Sequence, residues 1–124
     1  MADKILVVDD SVSMRQMTTI VLKGAGYTVD AAASGQEGLS KLDEQVTAII
    51  TDYNMPGMNG VEFIQAVRSG EVVASVPIIM LTTESDEQKM EAGREAGATA
   101  WLVKPFDKEK LLKVIKRTTG TVTF

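Results

Sequence analysis

Four sets of polar residues each follow an apolar stretch of the chain. Asp9-Asp10 follow Ile5-Leu6-Val7-Val8, and Asp52, with Asn54 just beyond, follows Ala48-Ile49-Ile50-Thr51. Thr82-Thr83 follow Ile78-Ile79-Met80-Leu81, and Lys104-Pro105 follow Ala100-Trp101-Leu102-Val103. If one crevice collects them, their chemistry is narrow. Three carboxylates held together repel, each pair by about 4 kcal/mol at ~4 Å and an effective dielectric near 20, before screening. A divalent cation relieves that repulsion. The chain has no His and no Cys, so only oxygen ligands are on offer, which suits Mg²⁺. A Mg²⁺ held by few carboxylates keeps open positions that fit phosphoryl oxygens. Lys104 adds a point charge for the same oxygens and Thr82 a hydroxyl donor. An ionised carboxylate needs no general base to attack phosphorus, and its product is an acyl phosphate.

Each feature alone has a plainer reading. Asp9-Asp10 is by itself a solvated loop or a helix cap, Asp52 a strand-end turn, Thr82-Thr83 the edge of a strand, and Lys104-Pro105 a surface Lys before a turn. Ser11 and Ser13 read as caps, since no base stands ready to activate them. Met14, Met17 and Met80 read as core filler. The joint pattern carries the weight: four signals, each at the end of its own apolar run.

The elements that must position these residues alternate. Apolar runs begin near residues 5, 28, 48, 78 and 100. The second, Thr28-Val29-Asp30-Ala31-Ala32, is the most polar and reads as an edge strand; the other four are nearly continuous, as in strands covered on both faces. Between them lie helical periods with start signals. Met14, Met17, Ile20 and Val21 share a face behind a Ser13/Gln16 capping-box pattern, which Ser34/Glu37 and Ser85/Gln88 repeat. Asn59 precedes a helix bearing Val61, Ile64 and Val67; Asp107 precedes one bearing Leu111, Leu112 and Ile115. Gly24, Gly26, Gly70 and Gly97 stand where helix ends want a left-handed residue. Five βα units predict a doubly wound five-stranded parallel sheet with right-handed crossovers and helices on both faces. In such a sheet, function sits beyond the carboxyl ends of the strands. The tail 118–124 reads as frayed or loosely docked.

Composition sets further bounds. A chain of 124 residues predicts one domain over 1–124, large enough to fold without a staple. Seventeen acidic against 13 basic residues, a net charge of −4, argue against direct nucleic-acid binding. The lack of His excludes a Ser-His-Asp triad, and the lack of Cys excludes disulfides and thiolate metal sites. No apolar run approaches the ~20 residues of a membrane span. The N-terminal stretch is too short and too acidic for a signal peptide, so the cytoplasm is expected.

On four motifs the chain resembles a response-regulator receiver domain, of the stand-alone kind found in chemotaxis. They are Val7-Val8-Asp9-Asp10-Ser11, Thr51 through Gly60 (TDYNMPGMNG), Met80-Leu81-Thr82 and Val103-Lys104-Pro105-Phe106. The likeness covers residues 4 to about 117, spacings included. It implies a flavodoxin-like α/β fold with strand order 2-1-3-4-5. It implies a phosphorylation-activated switch of a two-component system, not a conventional enzyme, that catalyses its own phosphorylation and dephosphorylation. Asp52 would accept the phosphoryl group. Asp10, Asp52 and the Asn54 backbone carbonyl would bind Mg²⁺, with Asp9 acting through water. Lys104 and Thr82 would contact the phosphoryl oxygens, and the Lys104–Pro105 bond would be cis. Trp101 stands where the switch aromatic is usually Tyr or Phe. Asn54 and Glu84 fall where dephosphorylation is tuned, and Thr83 replaces a customary small residue. The implied partners are a chemotaxis-type histidine kinase and a downstream effector such as a flagellar motor switch protein, met by a face that includes Lys89, Trp101, Lys108 and Lys110. The implied state is a monomer without membrane contact. Other classes stand against this. A phosphate sink or phosphorelay receiver would use the same site. An aspartate-nucleophile phosphatase would need a second acid where Asn54 stands. A flavin or nucleotide carrier would need a phosphate-cradling loop where Asp9-Asp10-Ser11-Val12 stands.

Overall fold

A computed structural model describes residues 3–82, 87–104 and 106–119. The elements alternate as β1 (Lys4–Val8), α1 (Val12–Gly24), β2 (Thr28–Ala32), α2 (Gly35–Lys41), β3 (Val46–Asp52), α3 (Gly60–Ser69), β4 (Ile78–Thr82), α4 (Glu87–Ala96), β5 (Ala100–Val103) and α5 (Lys108–Thr119). The strands form one parallel sheet in the order β2-β1-β3-β4-β5. This is the doubly wound, flavodoxin-like α/β fold that the alternation predicts.

Period-two alternation builds two cores. On one face, Leu6, Val8, Ile49, Ile78 and Met80 pack with Phe63, Ile64 and Val67 of α3. On the other, Ile5, Val7, Ala48, Ile50, Ile79 and Leu81 pack with Leu22 of α1 and Leu111 and Ile115 of α5. Successive strand residues point to opposite faces, so a strand covered on both sides must be apolar throughout. β1, β3 and β4 obey this. β2 lies at an edge, as its polar composition predicts. β5 lies at the other edge and its residues are only partly buried or exposed, so its apolar run does not mean two-sided cover.

Several local expectations shift. The cap of α1 is Ser11, whose Oγ accepts from Met14 N, in place of the Ser13/Gln16 pattern. The helix then buries Thr18 and Leu22, while Met17 is 39% and Ile20 70% exposed, so Met17 is not core. Asn59 forms a full capping box with Glu62, and Asp107 Oδ1 accepts from Lys110 N. Ser34 accepts from Glu37 N, but Glu37 reaches back to Ala33 N. Ser85 lies outside the described residues. Gly26 and Gly97 are left-handed, at φ +99° and +113°. Gly24 is the last residue of α1, and Gly70 is extended, at φ −84° and ψ 179°. α5 runs through Thr118 and Thr119, whose hydroxyls donate back to Val114 and Ile115 carbonyls; the tail beyond lies outside the described residues.

Candidate functional site

Register brings the polar strand ends level. Val8 of β1 pairs with Thr51 of β3, so Asp9 comes level with Asp52. Asp52 pairs with Leu81 of β4, and Thr82 pairs with Val103 of β5, one residue before Lys104. The chain leaves β1 at a tightly specified turn: Asp9 N donates to Ala32 O, and Ser11 N donates to Asp9 Oδ1 at 2.9 Å. Arg15 Nη1 donates to the Asp9 carbonyl at 2.7 Å. Tyr53 N donates to Leu81 O, and Lys104 N donates to Thr82 O at 2.7 Å, so the ladder fixes both ends of the crevice.

The result is a compact charged site. One carboxylate oxygen from each of Asp9, Asp10 and Asp52 lies within 4.8 Å of the others. Asp9 is fully buried, Asp52 is 7% exposed, and Asp10 faces solvent. Lys104 Nζ stands 3.3 Å from Asp52 Oδ1 and 3.6 Å from Asp9 Oδ2. The second contact is too long for a hydrogen bond, and Asp9 Oδ2 is left buried without one. Burial pushes the Asp52 carboxyl above the ordinary carboxylate range; the nearby Lys104 charge opposes this, and the Asp9 charge adds to it. Lys104 sets a single positive charge against two buried carboxylates. An orphaned buried oxygen among three hard oxygen donors fits a divalent cation. Asn54 sits exposed at the mouth.

Thr82 is 3% exposed and lines a narrow gap with Tyr53, Met80, Lys89, Met90 and Trp101. Trp101 is half-buried, packed on the core beside α4. The structure therefore brings together Asp9, Asp10, Asp52 and Lys104, and sets Thr82 and Trp101 side by side next to them. Thr83, Glu84 and Pro105 lie outside the described residues.

Two supporting residues escaped the sequence reading. Arg15 belongs to no motif in the sequence; its hold on the Asp9 carbonyl depends on the turn between β1 and α1. Gly60 closes the Thr51 through Gly60 motif, which does not by itself show why a glycine is needed there. A Cβ there would lie 2.5 Å from the Asp52 carbonyl oxygen and 3.0 Å from Tyr53 Cα, so any larger residue pushes α3 off the strand end. A glycine directly after a good N-cap was the available signal.

Residues 5–116 match the response regulator receiver domain family. The chain is 39% identical to chemotaxis protein CheY1 of Helicobacter pylori over 121 residues, covering 95% of this chain and 98% of that protein. The structure of chemotaxis protein CheY4 from Vibrio cholerae is 48% identical with a TM-score of 0.89, covering 95% of this chain and 99% of that one. The receiver domain of a sensor histidine kinase from Pseudomonas aeruginosa was solved with magnesium ion coordinated in its active site cleft. It is 28% identical with a TM-score of 0.88 and covers 97% of this chain and 99% of that one.

Proposed function

The chain belongs to the response regulator receiver domain family, and on that premise we propose that it is a phosphorylation-activated switch that takes a phosphoryl group onto Asp52. The carrying observation is the site itself: three carboxylate oxygens within 4.8 Å of one another, with Lys104 Nζ 3.3 Å from Asp52. The chain has no His of its own, so a phosphohistidine donor comes from another molecule, a chemotaxis-type histidine kinase. An Asp52 carboxylate oxygen attacks phosphorus, the P–N bond breaks, and the imidazole leaves with that electron pair and takes up a proton.

Asp10, Asp52 and the Asn54 carbonyl would hold Mg²⁺, with Asp9 orienting its water. When bound, the ion supplies charge neutralisation for the incoming phosphoryl group. Lys104, already beside Asp52, follows the new charge. Phosphorylation replaces one negative carboxylate with a group of about −2 charge and three acceptor oxygens, which draw the Thr82 hydroxyl toward Asp52. Thr82 and Trp101 share one gap, so movement of Thr82 changes the seat of the indole. The output is a repacked α4-β5-α5 face, carrying Trp101 with Lys89, Lys108 and Lys110. The effector fits a protein such as a flagellar motor switch protein, and the switch works in the cytoplasm. Asn54 and Glu84 are assigned to the rate of hydrolysis of the acyl phosphate. Incubation with Mg²⁺ and acetyl phosphate tests the reading. A phosphoryl mass increment is expected on the wild type and not on Asp52→Asn; no increment on the wild type would overturn it.

A further inference from the structure

Helix α4 is seated differently from its neighbours. Of its ten residues only Gly93 is buried, whereas α3 buries Phe63, Ile64 and Val67 and α5 buries Leu111 and Ile115. Two cations over aromatic rings supplement this thin apolar seat. Lys89 Nζ lies 5.3 Å from the centroid of the Tyr53 ring, and Arg94 Cζ lies 5.3 Å from that of Trp101. Tyr53 directly follows Asp52, and Trp101 pairs in register with Met80. Tyr53, Lys89 and Trp101 also line the narrow gap that Thr82 lines. Arg94 is itself oriented: its Nη1 donates to Glu91 Oε2 at 2.8 Å, both side chains being exposed. Glu91, Arg94 and Trp101 thus form a short chain from the surface of α4 to the wall of the Thr82 gap.

We propose that Arg94 is a positioning residue of the switch: lying over Trp101, it holds the indole beside the Thr82 gap and biases the protein toward the arrangement in which Lys104 ion-pairs with the Asp52 carboxylate. The inference rests on the reading of Asp52 as phosphoacceptor. A guanidinium suits the task because its plane can stack on an indole while its edge bonds a carboxylate. The contact belongs to one side of a two-state balance, so it sets how much differential binding a phosphoryl group must supply. Removing it brings the two states closer in free energy.

Trp101 is the only tryptophan, so its fluorescence reports this position directly. The experiment compares wild type, Arg94→Gln and Arg94→Lys by acrylamide quenching of tryptophan emission, and by titration with beryllofluoride, a phosphoryl mimic, in Mg²⁺. Arg94→Gln is expected to be quenched more readily and to bind beryllofluoride about two- to fivefold tighter, the size expected for one cation–π contact. Arg94→Lys should fall between it and the wild type. A purely structural role would lower the melting temperature without tightening the mimic. A folded Arg94→Gln with wild-type beryllofluoride affinity overturns the proposal. A wild type that fails to bind beryllofluoride overturns the phosphoacceptor reading beneath it.

Discussion

The two ends of the sheet handle buried charge in opposite ways. At the amino ends of the strands, Arg68 reaches from α3 into a nest of carbonyls. Its Nη1 donates to Ala74 O and Val76 O at 2.7 and 2.6 Å, while Nε and Nη2 donate to Gly97 O at 3.1 and 2.7 Å. That one side chain ties the α3–β4 loop, where Val73 sits at a positive φ of 43°, to the C-terminal end of α4. At the carboxyl ends, Asp9, Asp10 and Asp52 crowd together, one ammonium stands beside Asp9 and Asp52, and Asp9 Oδ2 stays unsatisfied. One end joins a charge to neutral acceptors through four hydrogen bonds. The other keeps like charges together, an arrangement whose repulsion a bound divalent cation would relieve. Satisfied and unsatisfied charge are separated along the strand axis.

The sharpest break of that contrast is Arg68→Ala. It removes donors from three buried or half-buried carbonyls, and should lower stability by about 2–4 kcal/mol in denaturant melts while leaving the response to Mg²⁺ intact. Next comes the metal. A cation that binds only the folded cluster stabilises it, by about 2.7 kcal/mol at a hundredfold excess over Kd. Thermal melts should therefore rise with Mg²⁺, and Asp10→Ala should flatten the rise; a wild-type melt indifferent to millimolar Mg²⁺ would contradict the metal assignment. The smallest effect is on pH. Burial raises the Asp52 pKa, so the folded state holds that proton more tightly than the unfolded chain does. Its contribution is most favourable below the ordinary carboxylate value and declines as pH rises through the raised one. In metal-free buffer Asp52→Asn should remove that decline, shifting the neutral-pH melt by about 1 kcal/mol or less.

Much of this was readable from residue types and spacing. β1, β3 and β4 announce themselves because two-sided burial demands unbroken apolar runs. Asp9, Asp10, Asp52, Thr82 and Lys104 were readable because each breaks such a run at the end where parallel strands point together. β5 misled: the run through Trp101 and Leu102 is apolar because α4 and α5 cover it in part, not because it is central. α1 misled too. Several of its heptad phases are apolar, and only packing shows that Thr18 and Leu22 are buried while Met17 and Ile20 face out. Arg68 and Arg94 were invisible as sites, since an arginine's partners here are carbonyls and a ring set by tertiary structure. Gly60 needed the distance from α3 to the Asp52 carbonyl.

The most direct test locates the phosphoryl group. The wild-type protein is treated with acetyl phosphate with and without Mg²⁺, the acyl phosphate is trapped by borohydride reduction, and the modified residue is identified by peptide mass mapping. The account predicts a single modified position, Asp52, formed only with Mg²⁺. Modification at Asp9 or Asp10 in its place, or equal modification without the metal, would contradict it.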